Sequence, residues 1–312
     1  MSIPNQTVAA ASEASESHRS EPRLAAIIAG SGLTRFEGME VVRREVVRTP
    51  YGEPSGALTF GRLHVGGVAH DVVFLPRHGY AHTIPPHDIN YRANIWALRE
   101  AGVAAVFAVA SVGGIRADLA PGTLVVPDQI IDYTHGRPST FFDSAEMPVT
   151  HIDFTLPYDG GVRAALLAAA ARAGIAVTDG GVYACTPGPR LETAAEIERL
   201  ARDGADMVGM TGMPEAALAR ELGLPYAALA LVVNAAAGRG ASRHAIAVTD
   251  MARTLEATMG RARAILTEAV LGFDPGAPDT DGRDAGAAAA VAGTGAPQAL
   301  QPAAADTTKG KA

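Results

Sequence analysis

Short apolar runs alternate with helical stretches along this chain, and nearly every run ends on glycine or a polar residue. LAAIIA at 24–29 leads into Gly30-Ser31-Gly32, HDVVFL at 70–75 leads through Pro76 into Arg77-His78, and AAVFAVA at 104–110 leads into Ser111-Val112-Gly113-Gly114. Further on, VYACT at 182–186 enters Pro187-Gly188-Pro189-Arg190-Leu191-Glu192, MVGM at 207–210 enters Thr211-Gly212-Met213-Pro214-Glu215, and YAALALVV at 226–233 ends on Asn234. Uninterrupted apolar runs of this length suit strands covered on both faces. Helices between them imply an α/β fold: one domain with a mostly parallel sheet flanked by helices on both sides. In such a sheet, ligands collect beyond the carboxyl ends of the strands.

The loop after residue 75 sets the chemistry to expect. Arg77 supplies a planar fork of permanent donors suited to phosphate or carboxylate, and His78 can add another. A surface ion pair at Arg77 and a turn-capping histidine are the competing reading of the same residues. Beyond the loop, Ile89, Ala93, Ile95, Trp96 and Leu98 fit a helix with one buried face, for which Asp88 is the expected cap. Gly30-Ser31-Gly32 would let backbone amides and the Ser31 hydroxyl approach an anion, but a plain turn fits it equally; it is neither a dinucleotide fingerprint nor a P-loop. LTFGRLHV at 58–65 and the run from 70 alternate around Gly66-Gly67 as a hairpin, Thr193 caps a helix, and 248–271 carries the last helix.

Composition narrows the function. With 48% hydrophobic and 19% charged residues in 312, the chain can bury a large core, and 26 basic against 33 acidic residues give a net charge of −7 with no basic block. Nucleic acid is therefore not an expected partner. The single cysteine, Cys185, excludes an internal disulfide and a cysteine-rich metal site, and the nine histidines lack ligand spacing. No metal is expected. The first residues lack a basic region followed by an apolar stretch, and no run would span a bilayer, so the expectation is a cytoplasmic protein without a membrane partner. Residues 1–22 and 274–312 are poor in large apolar side chains and are expected to be disordered tails around a domain at 23–273.

The strand ends supply oxyanion donors and two side chains suited to a heterocycle, Glu192 and Asn234, without a nucleophile set. The blocks AGSGL at 29–33, RHGYAHTIPPHDINYRANIWAL at 77–98, SVGGI at 111–115, GPRLET at 188–193, GADMVGMTGMPE at 204–215 and VVN at 232–234 resemble the trimeric purine nucleoside phosphorylases and methylthioadenosine phosphorylases over about residues 24–271. That resemblance implies a single α/β domain around a twisted, mixed sheet, and a homotrimer that cleaves a purine nucleoside with inorganic phosphate as co-substrate and no other cofactor. It implies phosphate contacts at Ser31, Arg77, His78, Ala110, Ser111 and Thr211, with Met210 under the ribose. Glu192, Leu191, Asn234, Ala235 and Ala236 would meet the base, and Asn234, Arg77 and His78 would carry the catalysis.

Two departures from the family refine the substrate. The adenosine branch carries Asp where this chain has Asn234; a carboxamide suits the O6 of a 6-oxopurine, and Glu192 can accept from its N1–H. Val248 stands where the ordinary members hold a histidine for the 5′-hydroxyl, and an apolar residue there suits a methylthio group; a core position in the last helix is the other reading. Together Glu192, Asn234 and Val248 point to S-methyl-5′-thioinosine, with inosine and guanosine as lesser substrates and methylthioadenosine less favoured. A non-catalytic nucleoside-binding protein is the rival of another class. Leu191 replaces the usual stacking Phe, and His151 is a candidate for the 5′ end from a subunit boundary.

Overall fold

The computed structural model describes residues 24–65, 67–143 and 149–273. Both expected tails lie outside the described residues. In chain order the elements are β1 (Leu24–Ala29), β2 (Met39–Glu45), β3 (Leu58–Val65), β4 (Val68–Pro76), α1 (Tyr91–Glu100), β5 (Val103–Gly114), β6 (Leu124–Val126) and β7 (Gln129–Asp132). There follow α2 (Gly160–Arg172), β8 (Thr178–Asp179), β9 (Val182–Cys185), α3 (Ala194–Arg202), β10 (Met207–Gly209), α4 (Glu215–Glu221), β11 (Tyr226–Ala235) and α5 (Val248–Gly272). All eleven strands join one mixed sheet, ordered β2-β3-β4-β1-β5-β10-β9-β7, with β11, β6 and β8 branching from β5.

β1, β4, β5 and β11 form a parallel set, β1 lying between β4 and β5 and β11 on β5. β1, β5, β11 and the second half of β4 are almost wholly buried, as uninterrupted Val, Ile, Leu and Ala runs require. On this set α2 packs against α5 and β11, and α1 packs against α4 and β5. No helix among the described residues is long and apolar enough to cross a membrane.

Three local expectations change. Ser111-Val112-Gly113-Gly114 is not a loop but the end of β5, because it is paired on both sides: with Leu231–Ala235 of β11 and, at Gly113 and Gly114, with Val208 and Met207 of β10. Gly114 is needed there, since a Cβ would sit 2.1 Å from the Leu119 carbonyl oxygen. The cap of α1 is Asn90, whose side chain accepts from the Ala93 N–H, while Asp88 lies in the preceding turn. β2 was not expected: MEVVRRE has no clean alternation, and as an outer strand on β3 it leaves Val41 and Val42 about half exposed. The cap at Thr193 is as read, completed by Glu196 into a reciprocal capping box.

Not every strand reaches the rim in the same direction. β10 runs antiparallel to β5, and the register Met207 to Gly114, Val208 to Gly113 sends the following residues back toward Ser111. Met210 and Thr211 therefore meet Ala110 and Ser111 by counter-running strands, not by lying at one end of a parallel set.

Candidate active site

A cleft gathers Gly30 and Ser31 after β1, Arg77 and His78 after β4, Ala110–Gly113 of β5, Leu191 and Glu192 before α3, Val208–Thr211 at β10, Val233 and Asn234 of β11 with Ala236 just past it, together with Pro86, Ile246 and Met251. Of the residues singled out from the sequence, Ser31, Arg77, His78, Ala110, Ser111, Leu191, Glu192, Met210, Thr211, Asn234 and Ala236 line it. Ala235 and Val248 do not. Ala235 is the last residue of β11 and pairs with Gly114 of β5. Val248 is the first residue of α5 and 69% exposed, and the apolar wall on that side is made by Ile246 and Met251. His151 and His244 are exposed and lie outside the lining.

Arg77 is the buried centre of one end. Its side chain is 1% exposed; Nε and Nη2 each donate to Glu215 at 2.7 Å, and Nη1 donates to the Val109 carbonyl at 2.8 Å. The surface-ion-pair reading is thereby excluded. Three of the five guanidinium N–H donors are spent, which leaves two for a ligand. Burial opposes the charge on Arg77, but the Glu215 carboxylate and its hydrogen bonds outweigh that and hold the guanidinium protonated. Glu215, fully buried, also accepts from the Tyr226 hydroxyl at 2.8 Å. Gly30 makes room for this arrangement: a Cβ there would meet the Val109 oxygen at 2.7 Å and Arg77 Nη1 at 3.3 Å.

His78 behaves differently from the donor expected of it. Its Nδ1 faces the Ile84 carbonyl oxygen at 2.8 Å, and a carbonyl only accepts, so the proton is on Nδ1 and Nε2 is an acceptor. Burial, then the Arg77 charge, bring its pKa down to about 4. Neutral His78 can thus accept a hydrogen bond at Nε2 from a protonated oxygen rather than donate one. Beside it, His82 holds a left-handed backbone (φ 53°) and its Nε2 lies 3.0 Å from the Ser31 hydroxyl, which fixes the first loop to the second.

The opposite end carries a carboxylate and a carboxamide, Glu192 and Asn234. Glu192 is half-buried and accepts from the Thr186 hydroxyl at 2.7 Å. Asn234 is half-buried just past a register irregularity after Val232, where a bulge can re-aim a side chain, and its Nδ2 donates to the Ala235 carbonyl at 2.7 Å. One amide N–H and Oδ1 remain available. Between the two ends, Met210 packs on Gly188, whose φ is +64° and where a Cβ would lie 2.4 Å from the Met210 sulfur.

Glu215, Thr186, His82, Pro86, Ile246 and Met251 had no role assigned from the sequence. Glu215 is the important omission. At the start of α4 an acidic residue is explained by the helix dipole alone, and nothing local signals a partner 138 residues away. Among the described residues, no group of three or more His, Cys, Asp or Glu side chains could hold a metal ion.

Residues 25–271 match the sequence model of the phosphorylase superfamily. The chain belongs to that superfamily. Among its relatives, a probable S-methyl-5′-thioinosine phosphorylase of Pseudomonas syringae is 53% identical over 77% of this chain and 96% of its own length. A 6-oxopurine nucleoside phosphorylase of Pyrococcus furiosus is 50% identical over 70% of this chain and 81% of its own. Among solved structures, methylthioadenosine phosphorylase from Schistosoma mansoni in complex with adenine aligns with a TM-score of 0.75 at 34% identity, over 80% of this chain and 91% of that one. The matched range coincides with the resemblance read from the sequence blocks.

Proposed function

We propose that the cleft carries out phosphorolysis of a 6-oxopurine nucleoside, with S-methyl-5′-thioinosine preferred, giving hypoxanthine and 5-methylthioribose 1-phosphate. The observation that carries the reading is the pairing of a carboxamide, Asn234, with a carboxylate, Glu192, at one end of a cleft whose other end holds Arg77, His78, Ser31, Ser111 and Thr211. The free N–H of Asn234 suits O6, its Oδ1 suits a proton on N7, and Glu192 suits N1–H; adenine offers neither the oxygen nor that proton. Each mismatched buried polar group costs about 1–3 kcal/mol.

Phosphate sits at the other end, taken by the two spare Arg77 N–H groups, the hydroxyls of Ser31, Ser111 and Thr211, and the Ala110 backbone. His78 Nε2 accepts a hydrogen bond from the protonated phosphate oxygen. With Met210 beneath the ribose, the glycosidic bond lengthens and C1′ gains oxocarbenium character. A phosphate oxygen attacks C1′ from the face opposite the base, and the electron pair of the broken C1′–N9 bond stays on the purine, where Asn234 stabilises it. Catalysis is positioning and electrostatics without a covalent enzyme intermediate or further cofactor. The apolar Ile246 and Met251 favour a methylthio over a hydroxyl group at the 5′ end.

The enzyme works on this reading as a cytoplasmic homotrimer, and its small-molecule partners are the nucleoside and phosphate. The second reading, a general 6-oxopurine nucleoside phosphorylase, is favoured by one observation: Val248 is not part of the lining. Release of free base from methylthioinosine, inosine, guanosine and methylthioadenosine, measured with and without phosphate, decides. The highest kcat/KM on methylthioinosine supports the proposal, equal values on inosine the second reading, and a higher value on methylthioadenosine overturns both. Nucleoside binding without phosphate-dependent base release would mark a non-catalytic binding protein.

A further inference from the structure

Arg137, in the run HGRPSTFF at 135–142, is a second buried guanidinium that does not line the cleft. It is 8% exposed and, among the described residues, no carboxylate pairs with it; its Nε–H has no acceptor. A buried cation without a counter-ion is costly, and only strong neutral acceptors can hold it. Here they are two main-chain carbonyls and a phenol. Nη1 donates to the Met213 carbonyl and to the Tyr91 hydroxyl (3.3 Å), Nη2 donates to the Pro187 carbonyl at 2.8 Å, and the guanidinium carbon lies 5.2 Å from the centre of the Tyr91 ring.

None of these acceptors lines the cleft, but each adjoins a different wall of it. Pro187 opens the loop that carries Leu191 and Glu192, at the base end. Met213 stands between Thr211 and Glu215, the partner of Arg77, at the phosphate end. Tyr91 in turn donates its hydroxyl proton to the Pro86 carbonyl at 2.9 Å, and Pro86 lines the cleft on the His78 loop. One rigid planar group therefore sets the spacing of the Pro187 and Met213 loops directly, and of the Pro86 loop through Tyr91 of α1.

We propose that Arg137 is a positioning residue that couples the base end of the cleft to the phosphate end. The proposal rests on the phosphorolytic reading above. Lysine would not replace it, because a single ammonium lacks the fork that reaches Pro187 and Met213 in two directions. Loosening the fork lets the two ends drift independently, so both substrates are affected by one change far from either.

The test compares the parent with Arg137→Met, Arg137→Lys and Leu166→Ala, the last a fully buried α2 side chain remote from the network. Arg137→Met is expected to raise KM for phosphate and for nucleoside together, each by about tenfold, as slight misplacement from outside the chemistry does. Arg137→Lys should fall between Met and parent. Leu166→Ala should lower the melting temperature without moving either KM. The proposal is overturned if Arg137→Met changes neither KM, changes only one, or matches Leu166→Ala at equal thermal loss. Should Arg137→Met not fold, Arg137→Lys decides on the same criterion. A parent without phosphate-dependent base release would instead refute the underlying reading.

Discussion

Replacing Asn234 by Asp probes the base assignment most directly, and the structure adds a complication that fixes how it must be measured. Nδ2 of Asn234 donates to the Ala235 carbonyl oxygen at 2.7 Å, an atom that can only accept. A carboxylate would set the anionic oxygen that replaces Nδ2 against both that carbonyl and O6 of the purine, so two acceptor pairs oppose each other. The first clash is the same whatever base is bound and lowers activity on every nucleoside; it cancels when two substrates are compared in the same variant. What remains in the ratio is the contact at position 6. A 6-oxopurine loses a donor there and an adenine gains an acceptor for its amino group, about 1–3 kcal/mol each way. Taking the lower bound of both, the ratio of kcat/KM on methylthioinosine to that on methylthioadenosine should fall by at least about thirtyfold, at roughly 1.4 kcal/mol per factor of ten. Phosphate-dependent release of hypoxanthine and adenine, followed separately on parent and variant, gives the ratio. A ratio unchanged within about threefold, alongside lowered activity on both substrates, would mean that Asn234 supports β11 but does not read the base.

Glu215→Gln strands a buried guanidinium, so stability should drop by about 3–5 kcal/mol in chemical denaturation. Because an anion then replaces part of the missing charge, saturating phosphate should raise the melting temperature of this variant more than that of the parent; equal shifts would sever Arg77 from the phosphate end. His78 has a folded pKa of about 4 against 6.5 free. Between these values the unfolded chain holds a proton that the folded chain does not, so stability rises with pH across that window, by on the order of 3 kcal/mol. His78→Gln should remove this contribution, and identical stability profiles of parent and variant from pH 4 to 6.5 would show the ring to be solvated. Gly188→Ala places a Cβ 2.4 Å from the Met210 sulfur in a left-handed backbone (φ +64°), costing about 1–2 kcal/mol. It should raise the nucleoside KM and leave the phosphate KM alone, and a parallel rise in both would remove Met210 from the ribose.

Much of the cleft was legible before any coordinates. Arg77 and His78 follow a strand stop, Thr193 and Glu196 have capping-box spacing, and Glu192 and Asn234 terminate apolar runs; these are local signals that depend on a few neighbouring residues. Other expectations required partners that spacing does not reveal. Asp88 and Asn90 are equivalent as caps by residue type, and the choice went to the side chain that the entering backbone aimed at Ala93. Val248 looked aligned with a ligand-facing position, yet Ile246 and Met251 make the wall, because the turn of the chain into α5 decides which side faces in.

By itself the sequence determined the alternation of strands and helices and the polar residues at their ends, Glu192 and Asn234 among them, since hydrophobic period and side-chain chemistry are properties of the chain. Tertiary structure alone decided that Ser111–Gly114 is strand, that β10 returns antiparallel to bring Thr211 to Ser111, and that Glu215 neutralises Arg77 across 138 residues. Those outcomes turn on which strand pairs with which, and on the need of a buried charge to find its counter-ion wherever the fold supplies one.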